Sequence, residues 1–226
     1  MNASVIRPVG EAALLVELGG IVCEETHRAV LALDDALGAS GIAAICETVT
    51  AYTSVLVRYD PDLIDFESLR LLCEPLIWQT KSALSSGRRH DVPVCFDPAF
   101  APDLDIVAGD LGFTTETVAQ QLLEATFRVY MYGFAPGYAY MGGVPPALHL
   151  PRKPAAMRGY PIGSVLIAGP QCLISTLPMP TGWWVVGRTP LTLLDCASDA
   201  PPLFQPGDTV CFRRIDADQF ARWRTP

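Results

Sequence analysis

A stretch dense in glycine and proline in the second half of this chain limits the folds that it can adopt. Residues 133–187 hold half of the 18 glycines and nearly half of the 20 prolines, interleaved with short apolar runs. Short strands interrupted by turn residues every ten or so positions are typical of an all-β barrel or sandwich. The predicted strands are residues 165–168, 173–177, 183–186 and 191–194, and a closing strand at 209–212 follows the turn Pro206-Gly207-Asp208.

The first half has a different pattern, in which strand-like and helix-like segments alternate. Its predicted strands are residues 12–18, 42–49 and 53–59; its predicted helices are 24–38 and a second from about 65, in which Pro75 should cause a kink or an early end. A further strand is predicted at 92–96. This alternation favours a small antiparallel α/β sandwich of the ferredoxin-like type.

The polar segment 85–89 is the best linker candidate, so we predict an α/β domain at 1–88 and a β-barrel domain at 89–226. Residues 97–125 are predicted to be helical, with Thr114 capping a helix. The fold class is therefore α+β.

Composition excludes several classes of function. The formal net charge is −8, which is the wrong sign for a general nucleic-acid binder, and no apolar run is long enough to predict a membrane-spanning helix. Seven cysteines without C-x-x-C spacing favour a reducing compartment, so we expect a cytoplasmic protein without a disulfide framework or metal site. The first seven residues also lack the layout of a secretory signal.

The usual self-sufficient chemistry is not visible in the sequence. It contains no phosphate-loop motif, no H-E-x-x-H zinc motif, no G-x-S-x-G nucleophile elbow and no Met-Lys-Met biotin attachment signal. We therefore do not expect a complete ATP-driven or carboxylating enzyme in this chain alone.

Chemical information is concentrated in residues 130–143, where aromatic side chains alternate with glycines that let a ligand approach the backbone. The alternative is a barrel corner with packed aromatics. Arg152 and Arg158 flank Lys153 and make a local cationic loop in an acidic chain, which favours a small anionic ligand or a partner patch. Lys153 itself is either an anion contact or a solvated turn lysine, and His149 lies in the same region.

Arg188, between Gly187 and Thr189, offers a bidentate fork to a carboxylate or phosphate. The alternative for Arg188 is an arginine that ties two loops together by donating to backbone carbonyls.

Four ordered motifs carry a family resemblance: R-V-Y-M-Y-G-F-A-P-G-Y-A-Y-M-G-G (128–143), P-R-K (151–153), P-I-G-S-V-L-I-A-G-P-Q (161–171) and G-W-W-V-V-G-R-T-P-L (182–191). With them the chain resembles the allophanate hydrolase subunit 1 family, which includes the B subunit of 5-oxoprolinase and the sporulation kinase inhibitor KipI. The resemblance implies a ferredoxin-like domain followed by a cyclophilin-like β-barrel.

The resemblance also implies a partner-dependent activity. Family members pair with a C-type subunit that forms the other half of a carboxyltransferase-like domain, and in 5-oxoprolinase an A-type subunit joins them for ATP-dependent ring opening. The ligand-facing residues that it implies include Arg152, Arg188 and Gln171, which we expect to be catalytic. The implied substrate-binding residues are Gly133, Phe134, Pro136, Gly137, Tyr138, Gly182, Trp183 and Thr189. This chain departs from the family pattern at Met157, Gly159, Pro170 and Thr181.

Three functions follow as hypotheses. The first is one subunit of an enzyme that acts on a small amide or lactam, with ATP used by the complex, in which Arg152 and Arg188 stabilise developing negative charge and Gln171 orients the amide. The second is a KipI-like module that inhibits a sensor histidine kinase. The third is a prolyl isomerase, suggested only by the barrel, and a fold does not by itself transfer a function.

Overall fold

In a computed structural model, the described residues are 4–79, 87–197 and 202–223. The chain divides into two compact units, Met1–Ser86 and Gly87–Pro226. Of the predicted linker, residues 85 and 86 lie outside the described ranges. No helix within those ranges is long and apolar enough to cross a bilayer.

The first unit is an antiparallel sheet with two helices packed on it. Its elements are β1 (Val5–Pro8), β2 (Ala13–Glu17), α1 (Glu24–Ala39), β3 (Ile45–Thr50), β4 (Ser54–Tyr59) and α2 (Phe66–Gln79). The strand order is β1-β2-β4-β3. Alternate apolar residues of β2 and β4, such as Leu14 and Val57, pack against Leu33 of α1 and Leu69 of α2.

The first unit departs from the sequence predictions at two points. Its sheet has an edge strand, β1, that the sequence analysis did not predict and that pairs with β2. The second helix does not end at Pro75 but continues to residue 79. Pro75 and Leu71 both lie on the exposed face of α2, so water can bind the Leu71 carbonyl that the proline leaves without a donor.

The second unit is a closed seven-stranded barrel. Its strands are β5 (Arg89–Cys95), β6 (Phe127–Tyr132), β7 (Ala139–Gly142), β8 (Ser164–Ala168), β9 (Gln171–Ile174), β10 (Trp184–Arg188) and β11 (Thr209–Ile215), and they close in the order β10-β5-β11-β6-β7-β9-β8. Helices α3 (Leu104–Leu111) and α4 (Thr115–Glu124) lie between β5 and β6, and α5 (Ala217–Arg222) follows β11.

The interior of the barrel is packed with apolar side chains. Phe127 and Phe212 meet there with ring centroids 4.7 Å apart, beside the fully buried Met141 and Val165. Strand β8 is buried on both faces, because its outward-facing residues Leu166 and Ala168 are covered by loops. The loops that cover β8 enclose a cavity outside the barrel wall.

The barrel confirms most of the predicted strands and the α+β fold class. Thr114 caps α4 as predicted, its side chain accepting from the Thr117 N–H at 3.1 Å. The run 191–194 is not a strand: Leu194 makes only an isolated bridge to Pro202. Strands β6 and β7 come from the aromatic and glycine-rich stretch, whose intervening turn holds the positive-φ residues Phe134 and Gly137.

Candidate functional site

A cavity of about 290 Å³ lies against the outer face of β8 and β9. The loops that cover it run through residues 134–138, 152–160 and 177–183. Its lining residues are Phe134, Tyr138, Tyr140, Arg152, Lys153, Ala156, Tyr160, Ser164, Leu166, Leu173, Ser175, Leu177, Met179, Pro180, Thr181, Gly182 and Trp183.

Aromatic side chains form one wall of this cavity. Tyr140 and Trp183 meet edge to face, with ring centroids 5.9 Å apart. The Tyr138 hydroxyl donates to the Leu177 carbonyl at 3.1 Å, and burial raises the pKa of this phenol. Because Tyr138 and Trp183 are both buried and held in place, they give the cavity a flat, rigid wall.

Arg152 brings an accessible positive charge to this wall. Its guanidinium carbon lies 5.6 Å from the centroid of the Trp183 ring, a cation–π distance. The residue is exposed. Within the parts of the chain that are described, Arg152 forms no ion pair, so its hydrogen-bond donors are available to an anion in the cavity.

Lys153, the next residue, is held in a different way. Its ammonium donates to Asp103 Oδ2 at 2.5 Å and to the Tyr160 hydroxyl at 2.7 Å, and only 7% of its side chain is exposed. The ammonium also lies 4.8 Å from the Tyr160 ring centroid and 5.3 Å from that of Trp184. The solvated-turn alternative for Lys153 is therefore wrong: it is a buried cation with a buried counter-ion.

Asp103 occupies the N-cap position of α3 but does not cap the helix with its side chain. Its Oδ2 accepts instead from the Val185 N–H of β10 at 2.7 Å, and the Asp103 N–H donates to the Val185 carbonyl at 3.1 Å. The helix start is thus fixed to the barrel wall, and its carboxylate is directed toward Lys153. The sequence showed this residue only as part of a helix start.

Two serines provide polar groups on the strand side of the cavity. The Ser164 and Ser175 hydroxyls both donate to the Pro161 carbonyl, at 2.7 and 3.1 Å, and Ser175 Oγ also accepts from the Ser164 N–H. Both residues are buried. These bonds use the hydroxyl protons of both serines. The serine oxygens keep lone pairs that can accept a hydrogen bond from a ligand.

Phe134 lies where the cavity meets a second, open depression. Its φ of 68° is the only positive value of a non-glycine residue in the described ranges. Its side chain is 73% exposed, and its ring centroid lies 5.9 Å from that of Tyr138. The predicted residues Gly133, Pro136 and Gly137 line the second depression and not the main cavity. Backbone strain at an exposed aromatic is typical of a functional loop.

A third, shallow depression contains Gln171. It is also lined by His149 and by Arg152, which therefore borders both this depression and the main cavity. His149 Nε2 lies 2.9 Å from the Val144 carbonyl, so this ring nitrogen is held by the backbone. Arg152 and Gln171 therefore line the same depression, and Gln171 lies outside the main cavity.

Arg188 and Thr189 do not line any of these three spaces. Arg188 Nε donates to the Ile162 carbonyl at 3.0 Å, and its guanidinium lies over the Phe220 ring at 5.4 Å. Burial lowers the pKa of Arg188. This geometry matches the alternative in which the arginine ties loops together, so Arg152 and Arg188 do not share one cavity.

Thr189 has a structural environment. It is 2% exposed, and its N–H donates to the Gly163 carbonyl at 2.9 Å. Gly163 has a φ of +84°, and a Cβ there would lie 2.3 Å from the Thr189 carbonyl oxygen. Only glycine permits this close approach between the start of β8 and the end of β10.

Two of the departures from the family pattern meet in space. Met157 and Thr181 form an isolated antiparallel bridge, with N–O distances of 2.8 and 2.9 Å. Thr181 and its neighbour Gly182 line the main cavity, whereas Met157 is exposed. The bridge joins the two covering loops through backbone hydrogen bonds.

The sequence missed Asp103, Tyr160 and the two serines as site residues. The available signals were an aspartate at a helix start and a tyrosine directly before the P-I-G-S-V strand, and neither is specific. Across the described ranges there is no cluster of three histidine, cysteine or acidic residues that could hold a metal ion.

Comparison with known proteins identifies the family of this chain. Residues 4–204 match the family described as carboxyltransferase domain, subdomain C and D. The chain is 30% identical to the 5-oxoprolinase B subunit of Bacillus subtilis over 97% of its own length and 96% of that protein. It is 33% identical to the 5-oxoprolinase B subunit of Haemophilus influenzae, over 92% of this chain and 96% of the relative.

Solved structures share the fold. A crystal structure of TTHA0988 superposes with a TM-score of 0.81 at 32% identity over 98% of this chain, but only 41% of that longer chain is covered. The urea amidolyase of Kluyveromyces lactis superposes with a TM-score of 0.77 at 19% identity over 96% of this chain and 15% of its own, a likeness of fold alone. The chain therefore belongs to the family of carboxyltransferase domains, subdomains C and D, in which its curated relatives are 5-oxoprolinase B subunits.

Proposed function

We propose that this chain is the B-type subunit of an ATP-dependent 5-oxoprolinase, and that its outer-wall cavity binds the small lactam substrate. Relatives that match nearly its full length at 30–33% identity are named as B subunits of 5-oxoprolinase. The single observation that carries the proposal is the cavity itself, in which an aromatic wall stands beside the guanidinium of Arg152, a cation without an ion pair among the described residues.

The charges of the cavity favour a carboxylate ligand. Among the described residues, its lining includes two cations and no acidic side chain, although the chain as a whole has a net charge of −8. Lys153 is neutralised by Asp103, so the unbalanced charge is that of Arg152. A five-membered lactam that carries one carboxylate would place its ring on the aromatic wall and its carboxylate on the guanidinium.

ATP is better placed on a partner in this proposal. The cavity of about 290 Å³ is small for a nucleoside triphosphate together with a substrate, and the sequence has no phosphate-loop motif. We propose as partners a C-type subunit, the other carboxyltransferase-like half, and an A-type hydrolase subunit, without attached biotin. All seven cysteines are free thiols, which supports a reducing, cytoplasmic setting.

The experiment is co-expression of the chain with the products of neighbouring open reading frames, followed by measurement of ATP hydrolysis with and without 5-oxoproline. We expect hydrolysis that depends on 5-oxoproline, and Arg152→Ala should lower turnover at least about tenfold. Arg158→Ala is the matched control, because Arg158 is an exposed cation of the same loop outside the cavity lining. Equal turnover by the two variants, or no stimulation by 5-oxoproline, contradicts the proposal.

Kinase inhibition is a second candidate because of the open depression beside the main cavity. It is lined mainly by apolar residues, among them Leu194 and Pro202, and bordered by the exposed Phe134. An apolar segment of a partner helix would fit such a surface. Co-purification with a histidine kinase, reduced by Phe134→Ala, would favour this candidate; co-purification with a C-type subunit favours the enzyme.

A further inference from the structure

Resting on the proposed function, the geometry points to Tyr160 as the hydrogen-bond donor to the carbonyl oxygen of the lactam. In this arrangement Lys153 and Asp103 are positioning residues that act through Tyr160. The inference assigns the two polar ends of the ligand to different side chains: its carboxylate to Arg152 and its carbonyl oxygen to Tyr160.

The direction of the Tyr160 hydroxyl proton follows from the hydrogen bond that its oxygen accepts. The oxygen accepts a hydrogen bond from the Lys153 ammonium at 2.7 Å, and an ammonium can only donate. The hydroxyl proton must therefore point elsewhere. Its acceptors in the described chain are the two oxygens of Asp103, each 3.4 Å away, which is long for an O–H···O bond. A carbonyl oxygen at ordinary distance would compete for this proton.

The Tyr160 O–H group is also strengthened as a hydrogen-bond donor. A phenol that accepts from a cation has electron density withdrawn from its oxygen, so its own O–H becomes a stronger donor. The effect is largest where water is scarce, and Lys153 is almost fully buried. Tyr160 lines the cavity, and so does Lys153, the residue whose ammonium its hydroxyl contacts.

The ammonium of Lys153 is held in place by its surroundings. The Lys153 N–H donates to the Gly182 carbonyl at 2.7 Å, which fixes its backbone to the opposite covering loop. Asp103 is fixed in turn by the Val185 N–H of β10. The donor is thus arranged before the ligand arrives, which is what stabilisation of a developing oxyanion requires.

The test measures binding of three probes to the purified full chain by calorimetry. 5-Oxoproline has both ring carbonyl and carboxylate, cyclopentanecarboxylate lacks the carbonyl, and 2-pyrrolidinone lacks the carboxylate. Tyr160→Phe should weaken 5-oxoproline and 2-pyrrolidinone about tenfold and leave cyclopentanecarboxylate unchanged, since only the carbonyl contact is lost. Arg152→Ala should weaken the two carboxylates and leave 2-pyrrolidinone unchanged.

Lys153→Met should reduce the preference for 5-oxoproline over cyclopentanecarboxylate, and Lys153→Arg should restore part of it; a merely structural lysine would weaken both probes equally. An unchanged preference in Tyr160→Phe overturns the inference, and so does failure of the wild-type chain to bind any of the probes. The proposed function is judged separately, by 5-oxoproline-dependent ATP hydrolysis in the complex.

Discussion

Among the described residues of the barrel unit, two carboxylates are buried, and they have different partners. Asp208 accepts from the Arg88 N–H at 2.7 Å and the Gln205 N–H at 2.9 Å, and its Oδ2 lies 2.8 Å from His90 Nε2. Asp103 accepts from one backbone N–H and from the ammonium of Lys153. Both side chains are less than 10% exposed.

The difference lies in what stands next to each pair. Asp208 closes the Pro206-Gly207-Asp208 turn, and its partner His90 packs edge-on against Phe204, at a centroid distance of 5.1 Å. The partner of Asp103 lines the cavity, together with Tyr160. Buried charge by itself therefore does not mark a site. Contact with an accessible cavity separates the two pairs, and substitutions in each pair test that difference.

The largest effect is expected from Lys153→Met. Removing the ammonium leaves the Asp103 carboxylate buried without a cation, which should lower the free energy of unfolding by about 3–5 kcal/mol at neutral pH. Urea denaturation is the measurement. Arg158→Met is the matched control and should change stability by less than about 0.5 kcal/mol, because Arg158 is exposed.

A double variant, Asp103→Asn with Lys153→Met, should recover part of that loss, because no uncompensated charge remains buried. If the single variant were as stable as the wild type, the buried pair would not be the structural unit described.

Asp208→Ala should rank second, at about 3 kcal/mol, because two backbone N–H groups lose their acceptor. Asp91→Ala is its control: Asp91 pairs with Arg213 at 2.9 Å, but both side chains are about half exposed, so the loss should stay below about 1 kcal/mol. Binding of 5-oxoproline should not change in Asp208→Ala under conditions where it is folded. A large loss of affinity would erase the distinction between the two carboxylates.

A third prediction uses Tyr132, which responds to the Asp208 environment. Burial, with a smaller contribution from the charge of Asp208, raises the pKa of Tyr132 from 10 to about 12. The folded state therefore favours the neutral phenol, so this stabilisation is complete below pH 10 and is lost as the pH rises toward 12. Alkaline unfolding of wild type and Tyr132→Phe should show a shallower pH dependence in the variant. Identical slopes would contradict the assignment.

The smallest effect on stability is expected for Phe134→Ala. The side chain is 73% exposed, so the free energy of unfolding should change by less than about 0.5 kcal/mol. Ligand affinity should nevertheless fall severalfold, since Phe134 borders the cavity. A marked loss of stability with unchanged affinity would make Phe134 a packing residue and not part of the site.

The fold was predictable where the local spacing of apolar and turn residues determines the secondary structure. The turn-rich runs of the second half and the alternation in β4 gave strands in the right places, because burial of one face follows from spacing. β1 was missed because only four residues form it and they are mostly exposed, so it is defined by pairing with β2. The course of α2 past Pro75 depends on which face of the helix meets solvent.

The site was predictable in part. Five of the site residues that the resemblance implied line the cavity: Phe134, Tyr138, Arg152, Gly182 and Trp183. Arg188 does not, because Ile162, just before β8, offers its carbonyl to the guanidinium. The roles of Asp103 and Tyr160 depend on contacts over 50 and 7 positions with Lys153, and no local pattern encodes such contacts.

A crystal structure of the chain soaked with 5-oxoproline would show directly whether the cavity binds the lactam. We expect difference density in the cavity above β8 and β9, with the lactam ring against Trp183 and the carboxylate within hydrogen-bond distance of Arg152. Density for the ligand beside Arg188, in either open depression, or nowhere on the chain would contradict it.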